Sequence, residues 1–490
     1  MDDKLVNQSV CGLPIKVVQF GEGNFLRSFV CDVLQRLNDI NEFNGSIAII
    51  QPIEKGKVDL LAQQKGKYTL FLKGIINRKE IQEIRNISCV QEYINPYKNF
   101  EDFINLAKTQ TLKIIVSNTT EKGIAFNTKD SSTDSPAGSF VGKLVQFLYT
   151  RFVHFNGDET KGLHILPCEL IDENGLKLQG CITDCITHWG HENSFLKWVQ
   201  NSCFFYNTLV DRIVPGYPSS EPEKYHRLIG FKDQLITVSE PYFLWVIEGN
   251  EGIKELIQSE KINLDIRFSN DLHYYRLRKI RFLNGIHTLL VPIGLYLKKT
   301  TVLQCMEDHF VFEFVKGAMV QEISMTLKHQ YGDLKEKTKN HPINPKVIDR
   351  YIREVIDRLK NPFIEHNLTD IGLYSLEKFV FRVLPTILDY HKRMGLYPLR
   401  LIFGFACLLL MTINGEIDTK DNSGHLSFLR RQKSKPTFTM VKEILSNQEI
   451  WKRDLTKQPL LTEILYYAIV QLKKHGLIRG FYFYYRNQTA

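Results

Sequence analysis

An α/β first half built on a parallel sheet, followed by a mostly α-helical second half, is the fold class this sequence predicts. Three observations lead there. Short apolar runs rich in Ile and Val alternate with helically spaced segments through the first 270 residues. The first of these runs feeds a glycine turn and then a helical pattern. From about Leu272 onward strand-like runs become scarce, and apolar residues recur at helical spacing.

Each element has its own reason. Ile15–Phe20 is an apolar strand ahead of Gly21-Glu22-Gly23, and Phe25 to Leu37 carries a helical pattern. Ile47–Ile50, Leu112–Val116, Leu163–Pro167 and Asp233–Val238 are the next strand candidates. The second half offers helices over Phe310–His329, Asn344–Leu359, Ser375–Tyr390 and Leu399–Thr412. The polar stretch Asp418–Pro436, with Arg430, Arg431, Lys433 and Lys435, reads as a solvated loop. The expected division is residues 1–270 and 271–490, the second domain holding the substrate and catalytic groups.

Composition narrows the class. The chain has 490 residues, of which 43% are hydrophobic and 24% charged, which excludes a disordered or collagen-like protein. Lys and Arg outnumber Asp and Glu by 63 to 54, a mild surplus that suits an anionic small molecule or a phosphate-bearing cofactor. No basic arm suggests nucleic acid. The longest apolar run, Leu401–Ile413, is shorter than the roughly 20 residues of a membrane span and reads as a buried helix. The acidic start Met1-Asp2-Asp3-Lys4 shows no signal peptide, and nine scattered cysteines fit reduced thiols, so the expected compartment is the cytoplasm. Cys181, Cys185 and His188 share one helical stripe, with His191 nearby. One straight helix cannot supply four tetrahedral ligands, so no metal is expected there.

A buried strand running into Gly21-x-Gly23 and a helix is the geometry of a dinucleotide pyrophosphate site. Gly21 permits the tight turn, and Gly23 lets backbone N–H groups approach the phosphates. Leu26 replaces the usual third glycine. Arg27 offers a cationic contact to the pyrophosphate. At the end of the second strand Gln51 stands where an acidic residue commonly binds the ribose, with Glu54, Lys55 and Lys57 just beyond; NAD is expected over NADP.

Where the two halves meet, Lys279, Asn284 and His287 share one side of a helix. At about 100° per residue Asn284 falls about 140°, and His287 about 80°, from Lys279. A lysine among other cations in a closed site has its ammonium form disfavoured and can exchange a proton with an alcohol or carbonyl. Amide donors such as Asn284 would stabilise the developing alkoxide. Asn284-Gly285 reads equally as a turn, and Pro292 should kink or end the helix. A non-catalytic nucleotide-binding protein remains the alternative from another class.

Lys279 with Asn284 five residues on and His287 three further resembles the Lys-x4-Asn-x2-His pattern of the polyol-specific long-chain dehydrogenases, the mannitol dehydrogenase family. Several blocks are similar to its tagaturonate reductase (altronate oxidoreductase) branch: Gln19–Arg27, Ser117–Glu121, Pro167–Asp172, Asn207–Val214, Asn361–Ile364 with His366, Lys378-Phe379 and Arg382–Pro385. The resemblance implies a Rossmann-type N-terminal domain, a helical C-terminal domain, and metal-independent hydride transfer between NAD(H) and a linear sugar acid, D-tagaturonate becoming D-altronate in galacturonate breakdown. Fructuronate reduction or mannitol-type polyol oxidation are the alternatives within the family. By position, Lys279 is the acid–base lysine, Asn284 and Asn207 the oxyanion-stabilising asparagines, and His287 the substrate-orienting residue. Gly21, Gly23, Phe25 and Arg27 fall on the cofactor turn, and Asn118 and Thr119 beside the nicotinamide ribose. Arg358, His366, Lys378 and Arg382 are the candidates for the substrate carboxylate. The expected partner is a small sugar acid, with neither nucleic acid nor membrane, in a monomer or small homo-oligomer.

Overall fold

The computed structural model describes residues 12–120, 122–249, 251–270, 272–332 and 341–489. The acidic Met1–Lys4 start and Glu121 lie outside them. The chain divides into two compact units, 1–73 with 80–272, and 74–79 with 273–490. A short piece that sequence reading assigns to the first half, Gly74–Lys79, thus clusters with the second unit. There the Arg78 backbone N–H donates to the Asp357 carboxylate at 3.1 Å.

Among the described residues the first unit carries β1 (Ile15–Phe20), β2 (Ser46–Ile50), β3 (Tyr68–Ile76), β4 (Lys79–Ile87), β5 (Val90–Ile94), β6 (Ile114–Ser117), β7 (His164–Pro167), β8 (Phe204–Phe205), β9 (Asn207–Asp211), β10 (Thr237–Ser239), β11 (Leu244–Glu248) and β12 (Asp265–Phe268). Six of them form one sheet in the order β5-β2-β1-β6-β7-β8, and all five of its strand pairings are parallel. Counted along that sheet, the order is 3-2-1-4-5-6, the Rossmann order. Buried Ile and Val make continuous apolar strands because helices cover both faces. The order reverses between β1 and β6, so their carboxyl ends open the crevice where such sheets bind ligands.

The helix after β1 is broken. Asn24–Ser28 and Val30–Asp39 meet at Phe29 (φ −115°, ψ −75°), whose ring stacks between Phe25 and Phe243. The two smaller sheets, β10-β3-β4 and β12-β11-β9, escape the sequence reading almost entirely. β4 reads Lys-Glu-Ile-Gln-Glu-Ile-Arg-Asn-Ile, polar on one face because it is an edge strand.

The second unit is helical, as the spacing predicts. Leu399–Asn414 is buried almost throughout, so its apolar run is a core helix. Asp418–Pro436 is no simple loop: Ser423–Arg431 is a helix whose start is capped by the Asn422 side chain, accepting from Gly424 and His425 N–H. Buried Leu429 anchors it against the unit. Pro292 does not end its helix, which runs from Gly285 to Tyr296. No helix of the described residues is long and apolar enough to cross a membrane.

Candidate active site

In the first unit the cofactor turn is built by close approach. Gly21 sits at φ +121°, and a Cβ there would lie 3.2 Å from the Asn118 carbonyl oxygen. Glycine is therefore required twice over, by conformation and by the loop after β6. Gly23 is open: a Cβ there would meet nothing within 4 Å, leaving the start of the following helix uncovered. Phe25 is half-buried against Phe29.

Arg27 does not face this turn. It is 0% exposed, its guanidinium donating to the carbonyls of Glu22 and Leu235 and to the Asn24 side chain, and it lies over the Tyr68 ring. A buried guanidinium spent on carbonyls braces the loop and has no surface for a pyrophosphate. Gln51 is likewise used internally. Its amide donates to the carbonyls of Ile53 and Glu54 and accepts from Val58 N–H, closing the loop after β2. Glu22 ties this loop to the glycine turn, accepting from Lys57 N–H at 3.3 Å.

At the end of β6, Asn118, Thr120, Lys122 and Leu170 line a shallow cavity of about 410 Å³. Beneath it lies a residue whose role sequence reasoning missed. The Glu169 carboxylate, 2% exposed, accepts from Ser117 Oγ (3.1 Å), Thr119 N–H (2.9 Å) and Thr119 Oγ1 (3.0 Å). Burial raises its pKa while these donors pull it down. Glu169 thereby holds the Asn118–Thr120 bend, in which Thr120 is strained at φ +105°. A carboxylate directly after a buried strand was the available hint. The open glycine turn, the switch point and this cavity together fit a dinucleotide.

Asn207, at the start of β9, is pinned at both ends. Its Oδ1 accepts from Gly175 and Leu176 N–H at 2.9 and 3.1 Å, in the first turn of Asn174–His188. Its Nδ2 donates to Glu248 at 2.7 Å, leaving one amide N–H uncommitted to Glu248. On the same helix, burial lifts the Cys185 thiol to about 12 and also raises Cys181. His188 packs edge-on to Phe126, and His191 against Tyr149. No group of metal-type ligands gathers among the described residues.

In the second unit the local helix geometry differs from the expected one in a way that matters. Lys279–Asn284 is π-helical, between α-helical Leu272–Arg278 and Gly285–Tyr296. An i→i+5 helix turns roughly 80° per residue, so residues five apart fall about 50° from each other, and Lys279 and Asn284 share one face rather than lying about 140° apart. His287, three residues on in regular helix, continues the same face. The Lys-x4-Asn-x2-His spacing is thus one π turn followed by one α turn. Asn284-Gly285 is no turn, for Gly285 is helical (φ −65°, ψ −45°). A Cβ on Gly285 would lie 3.2 Å from the Arg382 carbonyl, so glycine lets the next helix end come close. Lys279 and Asn284 are half-buried, and His287 is buried.

Three of the four carboxylate candidates, His366, Arg358 and Arg382, act on His287, and Lys378 joins them through Arg382. Its pKa is pushed down to about 3, first by burial and then by His366, Arg358 and Arg382. The His287 and His366 rings meet edge to face at 5.2 Å. Burial and Arg358 lower His366, against Asp370; burial and Arg382 lower Lys378, against Asp421. Lys378 also donates to the Ile371 carbonyl at 2.9 Å. Two arginines, a lysine and two neutral imidazoles therefore make a positive, hydrogen-bonding cluster around His287, on the helix that carries Lys279 and Asn284, with chemistry suited to an anionic polyhydroxy compound.

Similarity to known proteins agrees with this geometry. Residues 15–261 match the family model for the mannitol dehydrogenase Rossmann domain, and residues 271–473 that for the mannitol dehydrogenase C-terminal domain. The altronate oxidoreductase of Bacillus subtilis is 35% identical over 470 residues, covering 95% of this chain and 94% of that protein. That of Bacteroides thetaiotaomicron is 34% identical, covering 95% and 96%. The fold is shared with Pseudomonas fluorescens mannitol 2-dehydrogenase, solved with NAD and D-mannitol, at a TM-score of 0.70, 18% identity and coverage of 97% and 95%. A D-sorbitol dehydrogenase solved substrate-free aligns at a TM-score of 0.77, 18% identity and 96% coverage of each chain. The chain belongs to the mannitol dehydrogenase family of oxidoreductases.

Proposed function

We propose that this oxidoreductase uses NAD(H) to interconvert a linear keto-sugar acid and its alcohol, D-tagaturonate and D-altronate, with Lys279 as the acid–base group. The observation that carries the reading is the positive cluster of Arg358, Arg382 and His366 around His287, joined by Lys378 through Arg382, on the helix whose π turn brings Lys279 and Asn284 to one face. A neutral polyol has no use for so much positive charge, whereas a uronate carboxylate does. The relatives that share about a third of their residues with this chain are named altronate oxidoreductases, which favours the same substrate.

The residues divide the work. Gly21, Gly23, Phe25, Asn118 and Thr119 of the first unit would hold NAD(H), which would supply or accept the hydride. Lys279 gives a proton to the carbonyl oxygen during reduction and takes it back during oxidation. Asn284, whose amide makes no hydrogen bond among the described residues, donates to that oxygen as negative charge develops. His287 stays neutral and hydrogen-bonds a hydroxyl of the substrate. The arginines hold the carboxylate.

The test is a panel of keto-uronates and polyols, read by NADH absorbance. Tagaturonate should be reduced fastest, fructuronate and fructose more slowly. Lys279→Ala should fold and bind NADH but lose nearly all turnover; retained turnover in that variant removes the acid–base assignment. Preference for mannitol over the uronates would move the chain to a polyol-dehydrogenase role.

A further inference from the structure

The register of the Lys279–Asn284 turn is tied to the rest of the unit by charge. A second π-helical segment, Ala318–Ile323, packs against it, and helix Leu384–Met394 packs on that second segment in turn. π turns are rare and give up the regular helical ladder, so two in contact need something to hold them. Each carries one buried charge that reaches a following helix. Arg281, inside the first segment and 6% exposed, donates through Nη2 to the Asp389 carboxylate on Leu384–Met394. Glu322, inside the second and 4% exposed, accepts from Arg400 and Leu401 N–H at 2.8 and 3.0 Å, in the first turn of Leu399–Asn414. The Arg400 guanidinium lies 3.5 Å from the same carboxylate.

We propose that Arg281 and Asp389, seconded by Glu322, are positioning residues that hold Lys279–Asn284 in π register and so keep Lys279 and Asn284 on one face. This rests on reading those two as the acid–base and oxyanion groups. The two registers differ in a decisive way. With α spacing Asn284 turns about 140° from Lys279, and the pair cannot address one carbonyl oxygen. With π spacing they lie about 50° apart and share one face. A change of register within the segment would also turn Arg281, drawing its guanidinium away from Asp389 and leaving a buried charge without its partner. The ion pair thus favours the register in which the site is assembled.

The experiment compares Asp389→Asn, Asp389→Glu, Arg281→Lys and Glu322→Gln with the unsubstituted protein in two readouts. One is kcat and the KM for NADH and for the keto-uronate. The other is hydrogen–deuterium exchange of peptides spanning residues 276–288. Asp389→Asn should lower kcat about ten- to a hundredfold while the KM for NADH stays within about twofold, as expected when catalytic groups are misplaced and cofactor binding is not. Exchange should quicken in 276–288 and stay unchanged in the first unit. Asp389→Glu should recover most of kcat, while Arg281→Lys and Glu322→Gln should fall between. As a control, Glu313→Gln breaks an exposed pair with Lys316 in the same unit and should leave both readouts unchanged. Unaltered kcat in Asp389→Asn overturns the proposal. So does a loss accompanied by faster exchange throughout the chain, or one that Asp389→Glu does not recover. Lys279→Ala assayed alongside keeps the two readings apart: its activity judges the acid–base assignment, whereas the exchange of 276–288 judges the brace.

Discussion

Replacing His287 with glutamine should remove a defined part of the protein's dependence of stability on pH. The imidazole is buried and its pKa lies at about 3, through burial first and then through His366, Arg358 and Arg382. In the unfolded chain a histidine titrates near 6.5. Between these values the unfolded state binds the proton and the folded state does not, so stability is fully present above about 6.5 and is lost as pH falls toward 3. Each pH unit inside that window costs about 1.4 kcal/mol. Going from pH 7.5 to pH 5.0 crosses about 1.5 units of it, a loss of about 2 kcal/mol from this one group. Urea unfolding at the two pH values, followed by circular dichroism, measures it. The unsubstituted protein should lose about 2 kcal/mol more than His287→Gln over that interval. His366 is depressed in the same direction but is present in both proteins, so it cancels from the difference. Equal pH dependence in the two proteins would refute the reasoning, because the ring would then be taking a proton while folded. His287 could not in that case serve as a neutral hydrogen-bonding group.

Three further outcomes are expected. Gly21→Ala places a Cβ 3.2 Å from the Asn118 carbonyl at φ +121°; at about 1–3 kcal/mol of backbone strain, the KM for NADH should rise about tenfold or more, read by initial rates against NADH. Arg358→Leu and Arg382→Leu each remove a charged hydrogen-bond donor worth about 1.5–3 kcal/mol, so the KM for a keto-uronate should rise by at least about tenfold while slow turnover of neutral polyols is spared. A parallel loss on both substrate classes would count against the carboxylate pocket. Asp32→Asn strips the fully buried Arg212 of its carboxylate partner at 3.0 Å, and thermal or urea unfolding should show about 3–5 kcal/mol less stability, with the KM values of the surviving folded enzyme little changed.

What could be read from the sequence, and what could not, follows from the range of the interactions involved. β1 is found at Ile15–Phe20 as expected, because a central strand buries mostly apolar side chains, Val17, Val18 and Phe20 here, while the buried Gln19 amide donates to the Gly21 carbonyl. β3, β4, β9, β11 and β12 stayed hidden because short runs with interspersed polar residues, such as Asn-Thr-Leu-Val-Asp in β9, show no clear period, and partners such as β10 for β3 and β11 for β9 come from elsewhere in the chain. The same distinction governs the site. Gly21 and the Lys279, Asn284 and His287 spacing are local patterns, so they could be recognised. The fate of Arg27 was set by Leu235, more than two hundred residues away, whose carbonyl draws the guanidinium inward. The π turn lay beyond reach for the same reason. Nothing in Lys-Ile-Arg-Phe-Leu-Asn distinguishes an i→i+5 turn from an α turn, since local propensity differs little between them. The partners that bear on the choice, Asp389 for Arg281 and the Arg382 carbonyl against Gly285, arrive from about a hundred residues downstream. Spacing alone put Asn284 on the edge of the working face, whereas the π turn brings it to the same face as Lys279. If those two meet one carbonyl oxygen, as proposed, their alignment depends on Arg281 and Asp389, groups of another role.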